Sequence, residues 1–137
     1  MTFLVERLAD LRQHLQHLRE LAPRVSDTAA LRRDLSLHND VLFSLLVVCQ
    51  AVIDIAGELA GRRGIRFQDY TEAVRALSGI EQMPSALVDQ LVGLPGFRNV
   101  LIHEYVALDY GRVLEALRQL DTIEAFVRVV GRLEGNE

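Results

Sequence analysis

The chain has 137 residues, half of them hydrophobic and a quarter charged, the balance of a soluble globular domain long enough to bury a core. A formal net charge of -4 excludes a protein that coats nucleic acid by bulk electrostatics, yet every basic residue is arginine, which leaves room for a local bidentate anion site. The lone cysteine, Cys49, excludes an internal disulfide and lies in a strongly apolar run, so it reads as a buried inert thiol.

In chain order, Leu4, Leu8, Leu11, Leu15 and Leu18 alternate steps of four and three and make one stripe of a first helix, closed by Pro23. Ser26 or Asp27 can cap a second, long helix. There Leu31, Leu35, His38, Leu42, Leu45, Cys49, Val52, Ala56 and Leu59 keep the same rhythm, beside a second stripe of Val41, Leu45, Val48, Val52, Ile55 and Leu59. A helix apolar over more than half its girth needs cover on several sides, from its own chain or a second subunit. Its run 41–56 is interrupted by Ser44, Gln50 and Asp54 and falls short of the ~20 residues of a membrane span, which predicts a buried core helix. Gly61 and Gly64 end it, followed by a short helix around Tyr70 to Leu77. Pro84 starts a segment that is helical through Val92, and Gly93-Leu94-Pro95-Gly96 interrupts it before a restart at Phe97. Asp109 can cap a last helix with a stripe of Val113, Leu117, Leu120, Val127 and Val130, before a frayed tail after Leu133. No strand-like alternation or repeat occurs. The expected fold is all-α, an antiparallel bundle of about five helices in a single domain over 1–137.

Chemistry concentrates in Arg98-Asn99-Val100-Leu101-Ile102-His103-Glu104-Tyr105. Arginine holds a phosphate through two parallel hydrogen bonds, and histidine gives and takes protons near neutral pH. Were 87–108 one helix, Leu87, Leu91, Leu94, Arg98, Leu101, Tyr105 and Leu108 would share a seam, with Arg98 needing an acid, a carbonyl or an anion. His103 would stand about 140° around from Arg98, on a face with Gly96, Asn99 and Ala107 that leaves space beside the imidazole. Two such groups on one helix do not converge strongly; two copies meeting across a twofold axis would line one cleft. Asn99, one turn before His103, can bond the imidazole. A structural reading competes: Arg98 pairing with Glu81 or Asp89, and His103 capping a helix end.

The stretch 94–106, Leu-Pro-Gly-Phe-Arg-Asn-Val-Leu-Ile-His-Glu-Tyr-Val, followed by Asp109, resembles the signature of HepT-type HEPN toxins, and the likeness extends over nearly the whole chain. The family pattern is Arg, a polar residue, three positions, His, any residue, Tyr, and the chain matches it without departure. Ile53-Asp54-Ile55-Ala56 in the long helix and the break before the motif also look like that family. The resemblance implies a homodimeric, metal-independent endoribonuclease of the cytoplasm, the toxin of a toxin–antitoxin pair, with RNA, tRNA included, as substrate and no cofactor. Arg98 would hold the scissile phosphate, His103 would act as general acid/base, and Asn99 would orient them. Tyr105 would be the hydroxyl adenylylated by an MntA-like minimal nucleotidyltransferase antitoxin. A rival from another class is a non-catalytic helical module that binds a nucleotide or a nucleotidyltransferase partner, with Arg98 as an anion anchor.

Elsewhere the expectations are bland. Asp54 reads as part of a polar stripe with Gln50 and Glu58, with Arg98 or a histidine as the alternative partner. His38, near Asp40, reads as a core or interface histidine, and His14 and His17 as surface residues. Arg62, Arg63 and Arg66 read as a solvated helix exit, and remain, with Arg32 and Arg33, candidates for guiding an RNA backbone. Tyr70 and Tyr110 have no special context. No CxxC, HExxH or histidine cluster offers a metal site.

Overall fold

In a computed structural model of the chain, which describes residues 2–104 and 107–135, eight α-helices occur among the described residues. They are α1 (Thr2–Leu21), α2 (Thr28–Arg33), α3 (Leu35–Arg62), α4 (Tyr70–Arg75), α5 (Ser85–Leu91), α6 (Leu94–His103), α7 (Tyr110–Leu117) and α8 (Leu120–Leu133). The described residues contain no strand. The all-α bundle stands, with more pieces than the five expected, because three of the segments are cut, at Asp34, at Gly93 and at 118–119.

The leucine stripe of α1 is buried throughout, from Leu4 to Leu18 at no more than 2% exposure. It packs along α3 in antiparallel register: His17 faces Asp40, His14 Nδ1 lies 3.0 Å from Ser44 Oγ, and Arg7 shares a cleft with Gln50 and Asp54. His14 is therefore a bridge between two helices, half-buried against the buried Ser44, and not a surface residue.

The long second helix divides at Asp34, whose extended backbone breaks the turn and whose carboxylate accepts from the Leu37 N–H at 3.1 Å. Asp27 caps α2 in the same way, through the Ala30 N–H at 3.0 Å. The break shifts the phase, so Leu35 is 72% exposed and the stripe through Leu37, Val41, Leu45, Val48, Val52, Ile55 and Leu59 carries the core. Asp34→Ala is expected to lower stability by about 1 kcal/mol, the usual worth of a lost N-cap, read as a lower denaturation midpoint with an unchanged denaturant slope.

At its far end α3 closes on Gly64, whose φ of +70° is open to glycine, with the Ile65 N–H returning to the Ala60 carbonyl at 3.0 Å. With 28 residues α3 is long and apolar enough to cross a bilayer, so the argument from length does not hold. Packing decides instead: α1, α2, α4 and α6 lie against it, and more than half of its most apolar window is buried.

The motif helix α6 begins at Leu94, earlier than Phe97, because Pro95 sits in the first turn, where its missing N–H costs nothing. It ends at His103, so no single helix runs from Leu87 to Leu108. Tyr105 lies outside the described residues. Asp109 caps α7 through the Gly111 N–H at 2.8 Å, and a break at 118–119 separates α7 from α8.

Candidate functional site

Arg98 projects from the middle of α6 toward α3. Its Nε donates to Gln50 Oε1 at 2.8 Å and its Nη1 to Asn99 Oδ1 at 3.0 Å, and the Tyr70 ring centroid lies 5.4 Å from its guanidinium carbon. Gln50 in turn donates through Nε2 to Asp54 Oδ1 at 2.8 Å, one turn along α3. Neither Glu81 nor Asp89 is its partner: Arg98 is held by two neutral amide oxygens and joins no ion pair among the described residues. The half-buried guanidinium keeps its charge for a ligand.

Beside it opens a cleft of about 400 Å³ between α1, α3 and α6, lined by Leu46, Gln50, Asp54, Arg98, Ile102 and, from α1, Arg7. Arg7 pairs with Asp10 at 2.8 Å while its buried Nε finds no partner among the described residues. The cleft thus carries the carboxylates of Asp10 and Asp54 as well as two guanidiniums on a partly apolar wall, and with Arg7 paired to Asp10 it is Arg98 that is left to meet an anion.

His103 is the last residue of α6 and is exposed. Asn99 accepts from Arg98 through its side-chain oxygen and makes no hydrogen bond to His103 among the described residues. About 140° of helix separates Arg98 from His103, so one motif helix offers an anchored cation on one face and an accessible imidazole on another.

The remaining candidates fall into place structurally. Arg62 binds Glu58 and Glu134, at 3.3 and 3.0 Å, and ties α3 to the end of α8. Arg63 donates to the Leu59 carbonyl at 3.2 Å, and Arg66 is exposed. Arg32 donates to Thr28 Oγ1 at 3.1 Å and lies over the Tyr110 ring, while Arg33 is exposed. His38 is half-buried, bonded to Asn39 and edge-on to Tyr110, and does not enter the core. Burial pushes the Cys49 thiol up to about 12, against a smaller opposing effect of Arg98, so it stays protonated and inert. Among the described residues no three His, Cys, Asp or Glu side chains converge.

Sequence reasoning found Arg98, Asn99 and His103 and underrated four others. Gln50 and Asp54 had a signal, two polar residues four apart in an apolar helix. Tyr70 and Arg7 had none, because their place beside Arg98 depends on how α4 and α1 cross the long helix.

The chain is similar to known proteins over most of its length. The "Ribonuclease HepT-like" family model matches residues 11–130. An mRNA nuclease HepT of Shewanella oneidensis is 22% identical over 129 residues, covering 93% of this chain and 95% of that one. An Archaeoglobus fulgidus protein named as an RNase is 34% identical over 94 residues, 66% of this chain and 69% of that one. Among solved structures, a tri-AMPylated Shewanella oneidensis HEPN toxin in complex with an MNT antitoxin superposes with a TM-score of 0.80 at 21% identity, over 96% of this chain and 98% of that one. A toxin–antitoxin complex with AMP-PNP superposes with a TM-score of 0.78 at 21% identity, over 95% and 98%. With a family model spanning most of the chain and the fold matched end to end, the protein belongs to the HepT-like ribonuclease family.

Proposed function

We propose that the chain, as one HEPN-like domain, is the RNA-cleaving toxin of a cytoplasmic toxin–antitoxin pair, and that Arg98 and His103 carry the reaction. The observation that carries this reading is Arg98 itself, a charged guanidinium oriented by two amides and left without an acidic partner beside an open cleft. Arg98 binds the scissile phosphate and stabilises the charge that builds on its oxygens. His103 takes the proton of the ribose 2′-OH as that oxygen attacks phosphorus; the P–O5′ bond breaks and O5′ leaves with a proton. The ends are a 2′,3′-cyclic phosphate and a free 5′-hydroxyl.

The wide angle between the two groups is resolved by a homodimer, in which two motif helices line one cleft, with Arg98 of one copy beside His103 of the other in each of two equivalent sites, and water supplies the proton to O5′. The face of α3 left open supports it: Leu35 and Phe43 are 72% and 61% exposed, and Leu46 and Val47 are only half-buried beside Arg98. A strictly monomeric protein with full activity would end this part of the reading.

Tyr105 follows two residues after His103, outside the described residues, and is the expected site of adenylylation by an MntA-like nucleotidyltransferase partner. An AMP group there adds bulk and negative charge close to a phosphate-binding arginine, which repels RNA. The tri-AMPylated HEPN toxin solved in complex with an MNT antitoxin supports this assignment.

The test is cleavage of total cellular RNA, including tRNA, by unmodified protein with a chelator present, followed by analysis of the 3′ ends. Cyclic phosphate ends are the expected product; no cleavage by a dimeric, unmodified protein would leave the non-catalytic binding module as the better account. In the same assay Tyr105→Phe is expected to cut RNA at near wild-type rate but to resist silencing by the partner and ATP. Silencing of Tyr105→Phe to the wild-type extent would move the modification elsewhere.

A further inference from the structure

Resting on the ribonuclease reading above, we infer that Gln50 and Asp54 form a positioning relay that aims the Arg98 guanidinium without neutralising it. An arginine that must bind RNA phosphate faces two opposed requirements. It needs a partner to fix a long, flexible side chain, and it must not spend its charge on that partner. A carboxylate at the position of Gln50 would meet the first and fail the second, because an ion pair competes with the phosphate.

Gln50 meets both. Its Oε1 accepts from Arg98 Nε at 2.8 Å, orienting the guanidinium while leaving Nη2 unbonded among the described residues. An amide can present either end, and only the oxygen is useful toward Arg98. Asp54 makes that choice: it accepts from Gln50 Nε2 at 2.8 Å, so a flipped amide would face Asp54 with an acceptor and Arg98 with a donor. The i, i+4 spacing on α3 holds Asp54 one turn away, where it selects the amide rotamer and Gln50 stands between it and Arg98. Asn99 repeats the logic at Nη1, again with a neutral oxygen. The Asp54 carboxylate, which also lines the cleft, aims the guanidinium through Gln50, and both residues are positioning residues.

Three variants test this, each compared with Arg98→Ala in the full chain. The readouts are melting temperature, steady-state cleavage of an oligoribonucleotide, and the salt dependence of Kd for its 2′-O-methyl, uncleavable analogue. Gln50→Glu is expected to leave the melting temperature near that of the parent, because the ion pair gained with Arg98 is offset by a carboxylate oxygen facing Asp54. It is also expected to cut at least tenfold more slowly and to flatten the slope of log Kd against log salt by about 0.7, one phosphate contact on a single strand. A merely structural glutamine would not move that slope. Gln50→Leu, which keeps the charge and loses the aim, is expected to lower kcat with the slope unchanged. Asp54→Asn decides the role of the carboxylate: kcat is expected to fall several-fold while KM does not rise, since charge on the cleft becomes more positive.

Wild-type slope and rate in Gln50→Glu, with both lost in Arg98→Ala, would overturn the relay and leave the nuclease site standing. Wild-type kcat in Asp54→Asn would remove Asp54 from it. An Arg98→Ala protein that binds and cuts like the parent would overturn the relay and the assignment of the site together.

Discussion

His103→Ala is expected to lower RNA cleavage by about 10²- to 10⁴-fold, the usual contribution of a general acid/base, while RNA binding and melting temperature stay near those of the parent. His103 is exposed at the end of α6 and has no partner among the described residues, so its removal leaves no cavity and no orphaned group. Arg98→Ala is expected to behave differently. It should lower cleavage by about 10²- to 10³-fold, as for loss of one donor to a charged transition state, and weaken binding as well. Because Arg98 touches Gln50, Asn99 and the Tyr70 ring only at a half-buried site, its loss should cost little stability.

Mixing the two inactive proteins tests where the site lies. If one cleft takes Arg98 from one subunit and His103 from the other, the mixed dimer regains one complete site of two. Random exchange makes half of the dimers mixed, so about a quarter of parental activity returns. If each subunit works alone, no activity returns. Recovery on mixing would place the site across the twofold axis, and a strictly additive null would confine it to one chain.

How far the sequence carried this depends on which interactions are local. The stripe of α1 was legible because Leu4, Leu8, Leu11, Leu15 and Leu18 are periodic and all face one neighbour. The caps at Asp27 and Asp109 were legible because a short polar side chain before an apolar run has few other uses. Asp34 was missed although it does the same work, because Leu31 and Leu35 keep a helical rhythm across it; only the shifted phase, with Leu35 exposed, shows the break. The break before the motif was legible, but its restart was read at Phe97, whereas Pro95 sits in the first turn of α6, which begins at Leu94. At the site, Arg98 and His103 stood out by residue type and by resemblance. Their partners did not, because Gln50 is 48 positions from Arg98, and which polar residue of a long helix meets an arginine is set by the crossing of α3 and α6.

Phe126→Ala is expected to lower stability by about 3–5 kcal/mol, the range for removing a fully buried aromatic ring. Phe126 is 0% exposed and the bulkiest of the fully buried side chains. It sits on α8, which packs against α1 and α5, and the stripe of Leu120, Ile123, Val127 and Val130 buries the same helix on either side of it. The neighbours are held by their own helices, so the space cannot close fully and a cavity term adds to the lost transfer energy. Set against a total of roughly 5–15 kcal/mol for a domain, the change should bring the melting temperature down by about 10–20 °C. Phe126→Leu, which keeps most of the volume, should cost less than half as much. The site provides the contrast that gives the result its meaning. Phe126 is no part of the cleft at Arg98, so below its new melting temperature the folded Phe126→Ala protein should cleave RNA at near the parental rate. Activity lost in proportion to the unfolded fraction marks a residue that holds the fold, and activity lost with the fold intact, as expected for His103→Ala, marks one that performs the chemistry. A Phe126→Ala protein that melts with the parent would mean that α8 does not close the core in solution as it does here.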